Sequence, residues 1–133
     1  MGDPSSDKSR ARYRLLIADD AAFGSAALAE TVRRLRPAAD LVEAANADEA
    51  LGALAMQRID VVLIDFSRPG VDGVELAALI RRTRGPIPIA IISSQGDDAW
   101  SRANEMQAVF IPKPITDEAL AAFLARAELQ IGQ

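Results

Sequence analysis

Apolar residues in this chain fall into blocks of two kinds. Residues 13–18, 59–64 and 87–92 are apolar at nearly every position, and residues 61–64 read Val-Val-Leu-Ile. Runs of that kind suit strands buried on both faces of a parallel sheet. Between them the apolar positions recur every three or four residues. In 22–36, for example, Leu28, Val32 and Leu35 lie on one helical face. The same period predicts helices over 48–57, 74–82, 97–106 and 117–131, while the short stretches 41–45 and 109–111 read as further strands. Punctuation agrees with these blocks. Pro37 closes the first helix, Gly85-Pro86 breaks the third, and Pro88 must sit at the start of its strand. Thr116 reads as the N-cap of the last helix, with Asp117 and Glu118 at its positive end. Five strands and five helices in strict alternation predict a doubly wound five-stranded parallel α/β sheet.

At 133 residues the chain is one domain's worth. Residues 12–133 carry the pattern, and the polar residues 1–11 read as a loose, disordered tail. Half the chain is apolar, but 26 of its residues are alanine, so the core is poor in aromatics. A net charge of −4 argues against wholesale binding to nucleic acid or to an anionic membrane. The clusters Arg33-Arg34-Arg36 and Arg81-Arg82-Arg84 fall at helix C-termini, where the helix dipole already accounts for them. No run approaches a membrane span, and the N-terminus is too polar for a signal peptide. Its Met1-Gly2-Asp3-Pro4-Ser5-Ser6 formally fits a myristoylation pattern, but it reads as part of the tail. The expectation is therefore no membrane insertion and a cytoplasmic location.

The chain has no Cys and no His. Thiol nucleophiles, zinc–thiolate sites, Ser-His-Asp triads and imidazole bases are thereby excluded. What remains is carboxylate, hydroxyl, Lys and Arg chemistry, and carboxylates select hard cations such as Mg²⁺.

Ligands of doubly wound sheets bind beyond the carboxyl ends of the strands. Those ends carry Asp19 and Asp20 after the first strand, Asp65 after the third, Ser93 and Ser94 after the fourth, and Lys113 after the fifth. Singly, each has an ordinary explanation: Asp20 as a helix cap, Asp65 as a turn former, Ser93 in a hydroxyl turn, Lys113 as a solvated charge. Yet Arg outnumbers Lys 13 to 2, the other Lys is Lys8 in the tail, and Lys113 stands between two prolines. Three carboxylates brought together repel one another, and a divalent cation relieves that repulsion. Mg²⁺ keeps several waters and leaves room for a phosphate oxygen. An acidic pocket with a metal, a Lys and a hydroxyl is a layout for phosphoryl transfer, in which one Asp can itself be the nucleophile.

At this point the chain resembles the receiver domain of bacterial two-component response regulators, single-domain type. The resemblance rests on Leu15-Leu16-Ile17-Ala18-Asp19-Asp20, on Asp65 through Gly73 with Pro69 and Gly70, on the strand ending at Ser93-Ser94, and on Lys113-Pro114 with Phe110 three residues earlier. It covers residues 13–131 and implies a flavodoxin-like fold with strand order 2-1-3-4-5. It implies that Asp65 takes a phosphoryl group from a phosphohistidine. Asp20, Asp65 and the backbone carbonyl of Ser67 would be Mg²⁺ ligands, with Asp19 acting directly or through water. Lys113 would pair with the phosphoryl group, Ser93 would move to bond it, and Phe110 would repack. The new dianion would then switch a protein-interaction face built from 97–106, 109–111 and 117–131. Ser67 and Gln95 occupy positions that tune phosphate lifetime in the family.

Since the chain has no His, a histidine kinase or histidine phosphotransfer protein must supply the phosphate, and a downstream protein must read it. The domain would act on itself and not turn over a substrate. Four positions depart from the family pattern. Phe66 is large, Phe110 lacks a tyrosine hydroxyl, and Met106-Gln107 stands where Gly-Ala is usual, so the fourth helix should end differently. The chain stops soon after its last helix, which suggests a stand-alone receiver. The alternatives are a receiver excised from a larger regulator or hybrid kinase, and a phosphorylation-independent scaffold. A phosphatase of the haloacid dehalogenase type needs Asp-x-Asp, and Asp65-Phe66-Ser67 lacks the second acid.

Overall fold

A computed structural model describes residues 12–20, 24–66, 73–94 and 97–131. The expected tail, 1–11, lies outside the described residues, as do Ser67 and Gln95. The elements run β1 (Arg14–Asp19), α1 (Gly24–Leu35), β2 (Asp40–Ala44), α2 (Ala47–Met56), β3 (Val61–Asp65), α3 (Gly73–Arg84), β4 (Ile89–Ser93), α4 (Asp97–Glu105), β5 (Val109–Pro112) and α5 (Asp117–Ile131). The strands form one parallel sheet in the order β2-β1-β3-β4-β5. β1 and β3 are buried along almost their whole length, which is why their sequences do not alternate.

Two cores lie on opposite faces of the sheet. Leu16, Val62, Ile64, Ile89 and Ile91 face α2, α3 and α4 through Ala50, Val74, Leu76, Ile80 and Ala103. Leu15, Ile17, Leu63, Ile92 and Ile111 face α1 and α5 through Leu28, Val32, Leu120, Phe123 and Leu124. Adjacent strand residues thus feed different cores, as the two-residue strand period requires.

The predicted helix boundaries shift by one or two residues, and α5 begins and ends where its pattern placed it. Thr116 caps it: its Oγ1 accepts from the Ala119 N–H at 3.1 Å. Asn46 caps α2 by accepting from the Glu49 N–H at 2.8 Å, while Glu49 Oε1 accepts from the Ala45 N–H. Asn-x-x-Glu is a variant of the capping box, in which each side chain satisfies a free backbone donor. α4 ends without glycine, as its sequence implied. Gln107 adopts a left-handed φ of 61°. The Ala108 N–H reaches Ala103 O and the Gln107 N–H reaches Asn104 O, the paired bonds of a Schellman ending.

Candidate functional site

Asp19, Asp65 and Ser93 are the last residues of their strands rather than the first residues after them, because ladder pairing extends that far. Asp19 is the register partner of Asp65, and Ser93 that of Pro112. The sheet therefore sets the two aspartates side by side at its C-terminal edge, with Asp20 following. All three carboxylate residues are buried, at 3%, 8% and 6% exposure for Asp19, Asp20 and Asp65. Buried carboxylates need charge partners or bonds to be tolerated.

Lys113 supplies one. Its backbone N–H donates to Ser93 O at 3.0 Å, which anchors the residue against the end of β4. From there its Nζ lies 2.7 Å from Asp65 Oδ1. Oδ1 is wholly buried, and this contact is a charge pair rather than an aligned hydrogen bond. The Lys113–Pro114 peptide bond is cis. Further along the chain from Asp65, α3 begins at Gly73. A Cβ there would stand 2.9 Å from Ile64 Cγ2, so only glycine lets α3 start this close to β3.

Ser93 is half-buried and lies diagonally across the β4–β5 ladder from Phe110, whose register partner is Ile91. Phe110, Phe66 and Met106 each pack against the core that lies under α2, α3 and α4. The two expected switch residues thus share one face of the sheet.

A cleft of about 580 Å³ opens beside Asp65 and Lys113. Ala27, Leu28 and Thr31 of α1 form one wall, and Pro114 and Ile115 form the other, with Ser94 at the edge. Sequence reasoning missed these walls. They carry no reactive group and converge only once α1 is known to lie beside the β5–α5 loop.

The donor set is all oxygen, which is the chemistry of a hard divalent cation. Among the described residues no three acidic side chains already form a closed metal cluster. Mg²⁺ does not need one, since it binds through one or two carboxylates and retains its waters. The residues present fit such an ion.

A five-stranded doubly wound sheet with buried aspartates and one lysine at its C-terminal edge defines a class, the flavodoxin-like α/β domains with a charged ligand edge. The comparison with known families makes this specific. Residues 15–125 match the response regulator receiver domain, and the chain belongs to that family. It is 33% identical over 115 residues to the positive alginate biosynthesis regulatory protein of Pseudomonas aeruginosa, covering 85% of this chain and 46% of that protein. It is 29% identical over 121 residues to the cyclic di-GMP phosphodiesterase response regulator RpfG of Xanthomonas campestris, covering 88% and 32%. The chain thus spans less than half the length of these relatives. In structure it resembles the receiver domain of a DNA-binding response regulator from Colwellia psychrerythraea, with a TM-score of 0.78, 24% identity, and coverage of 91% and 99%. It also resembles the chemotaxis response regulator CheY4 of Vibrio cholerae, with a TM-score of 0.74, 21% identity, and coverage of 88% and 99%. These likenesses bear out the expected fold and family. No described helix is long and apolar enough to cross a membrane.

Proposed function

We propose that this domain is a phosphoacceptor switch in which Asp65 takes a phosphoryl group from a phosphohistidine on a histidine kinase or histidine phosphotransfer protein. One observation carries the reading: Lys113 Nζ stands 2.7 Å from a buried Asp65 at the edge of the sheet where such folds bind ligands. A carboxylate oxygen of Asp65 attacks phosphorus as the P–N bond breaks. The imidazole nitrogen leaves with the electron pair, and an acyl phosphate remains on Asp65. Lys113 neutralises charge on the phosphoryl oxygens. Mg²⁺, when bound, supplies further neutralisation there; Asp20, Asp65 and the Ser67 carbonyl would hold it, with Asp19 direct or through water.

These 133 residues contain no His, so on this reading the phosphohistidine lies outside them. The apolar walls of the α1–Ile115 cleft suit a protein donor's helix better than a bare phosphate. Ser93 then bonds the phosphoryl group, Phe110 repacks, and the α4–β5–α5 face changes for a downstream protein target. Ser67 and Gln95 tune the lifetime of the phosphate. On this reading the domain modifies only itself, works in the cytoplasm, and contacts neither nucleic acid nor membrane directly. The length of the relatives favours a second reading of context, the same domain as one module of a longer regulator.

Intact mass after incubation with Mg²⁺ and acetyl phosphate tests the chemistry. One added phosphoryl group is expected, absent in Asp65→Asn and absent with EDTA. An unmodified parent, beside a receiver that is modified in the same buffer, would leave only the scaffold reading.

A further inference from the structure

At the opposite edge of the sheet, between the starts of β4 and β5 and the last turns of α5, lies a second cavity of about 260 Å³. Its floor is apolar, built from Ile87, Ile89 and Phe123, all buried. Arg81 and Arg126 line it, and among the described residues no acidic side chain does.

Arg81 is an unusual cation. Its Nε donates to Met106 O at 3.2 Å, its Nη1 to Gly85 O at 3.2 Å and Ile87 O at 2.7 Å, and its Nη2 to Gln107 O at 3.3 Å. Four of the five guanidinium N–H groups are thereby directed at neutral carbonyls. The side chain is locked, one Nη2–H remains, and no carboxylate pairs with it among the described residues. Burial pushes its pKa below the ordinary arginine value, the mark of a charge that has lost water without gaining an anion. Arg126, from α5, is exposed and likewise has no acidic partner among the described residues. The arginines at the end of α1 differ, since Arg33, Arg34 and Arg36 each hold a carboxylate.

We infer that this cavity is a binding site for a small carboxylic acid with a compact apolar body. Its carboxylate would meet Arg81 and Arg126, and its apolar part would rest on Ile87, Ile89 and Phe123. The volume lies just below the range of about 300–1,000 Å³ usual for drug-sized ligands, so the ligand is small. A fixed guanidinium with a free donor is the geometry that favours a carboxylate over a neutral group. The site is independent of the phosphoacceptor reading and faces the other end of the sheet.

Benzoate is the probe, followed by amide chemical shifts of the full chain, with benzyl alcohol and acetate as controls. Saturable shifts at Gln107, Val109 and Ala127 are expected with benzoate, at about tenfold lower concentration than with either control, since each lacks one of the two contacts. Arg126→Gln should weaken benzoate about tenfold while leaving the spectrum otherwise folded, because Arg126 makes no structural bond. Benzyl alcohol or acetate binding as tightly as benzoate, an indifferent Arg126→Gln, or no saturable shift each overturns the proposal.

Discussion

The two edges of this sheet each bury a charged group, and they treat it in opposite ways. At the C-terminal edge, Asp19, Asp20 and Asp65 lie together, and Lys113 is the cation paired with Asp65. At the N-terminal edge the most deeply buried acid is Glu128 of α5, and it is surrounded by donors. The Tyr13 hydroxyl donates to its Oε2 at 2.6 Å, Arg36 Nε donates to the same oxygen, and Arg36 Nη2 reaches Oε1 at 3.2 Å. Arg36 also binds Leu35 O, so β1, the end of α1 and the end of α5 are pinned at one point. Burial and the Glu128 bond push the Tyr13 hydroxyl well above its ordinary pKa, so it is a protonated donor at neutral pH. The closed cluster is structural, because its acid and its cation answer each other. At the C-terminal edge Asp19 and Asp65 stand side by side in register with Asp20 next along the chain, all three buried, and Lys113 pairs with Asp65; on the proposed reading a divalent cation would bind among these like charges.

The sharpest way to break this contrast is to remove a charge at each edge and ask whether metal matters. Glu128→Gln leaves the Arg36 guanidinium part-buried without its counter-charge, and should cost about 3 kcal/mol, the usual scale for breaking a buried pair. The urea midpoint should fall equally in Mg²⁺ and in EDTA. Lys113→Ala leaves the buried Asp65 carboxylate without its paired cation and should cost about 2 kcal/mol in EDTA. Mg²⁺ should recover part of that loss, because a divalent ion replaces the missing charge. Equal losses at Lys113 with and without Mg²⁺ would mean that the acidic edge is as self-sufficient as the other.

This contrast also marks what a sequence can disclose. Asp19, Asp65 and Lys113 were legible because their chemistry is local to strand ends, and because lysine is rare enough here for one to stand out. β1 and β3 were legible as unbroken apolar runs. The Tyr13–Arg36–Glu128 cluster was not, since its members lie 115 and 92 positions apart and none carries a local signature. Arg36 was accounted for by the helix dipole, yet its specific partner is a glutamate on another helix. The arginines of α3 were assigned in the same way. Arg81 instead closes four backbone carbonyls, and Arg84 binds Ile59 O at 3.1 Å. Electrostatics averaged over a helix end predicts that a cation is welcome there but not which acceptor it finds.

A smaller effect of opposite sign belongs to the same N-terminal edge. Gln107 holds a left-handed conformation that costs a side-chain residue about 1 kcal/mol relative to glycine. Part of that is returned as backbone freedom in the unfolded chain, so Gln107→Gly should raise stability by roughly 0.5 kcal/mol. Its carbonyl bond to Arg81 is main-chain and survives the change. A loss of stability would show that the Gln107 side chain itself contributes to closing this edge.

The smallest effect lies between the edges, where Arg34 of α1 holds Asp117 of α5 through bonds of 2.7 and 3.2 Å. Both side chains are more than half exposed, so this pair isolates what geometry achieves without burial. The Arg34 hydrogen bond, and then its charge, hold the Asp117 carboxyl below the usual aspartate range. A depressed folded-state pKa contributes stability above the unfolded value, about 3.9, and that contribution disappears as pH falls through the folded value. Between pH 5 and that point the parent's urea midpoint should therefore fall slightly further than that of Arg34→Gln, which never had the pair. Carboxyl shifts should show Asp117 titrating low in the parent and near the ordinary value in the variant. Molar salt should shrink the difference, because exposed pairs are screened. Persistence in salt would place Arg34–Asp117 with the buried Glu128 cluster, and α5 would then be fixed near both of its ends to the C-terminal end of α1.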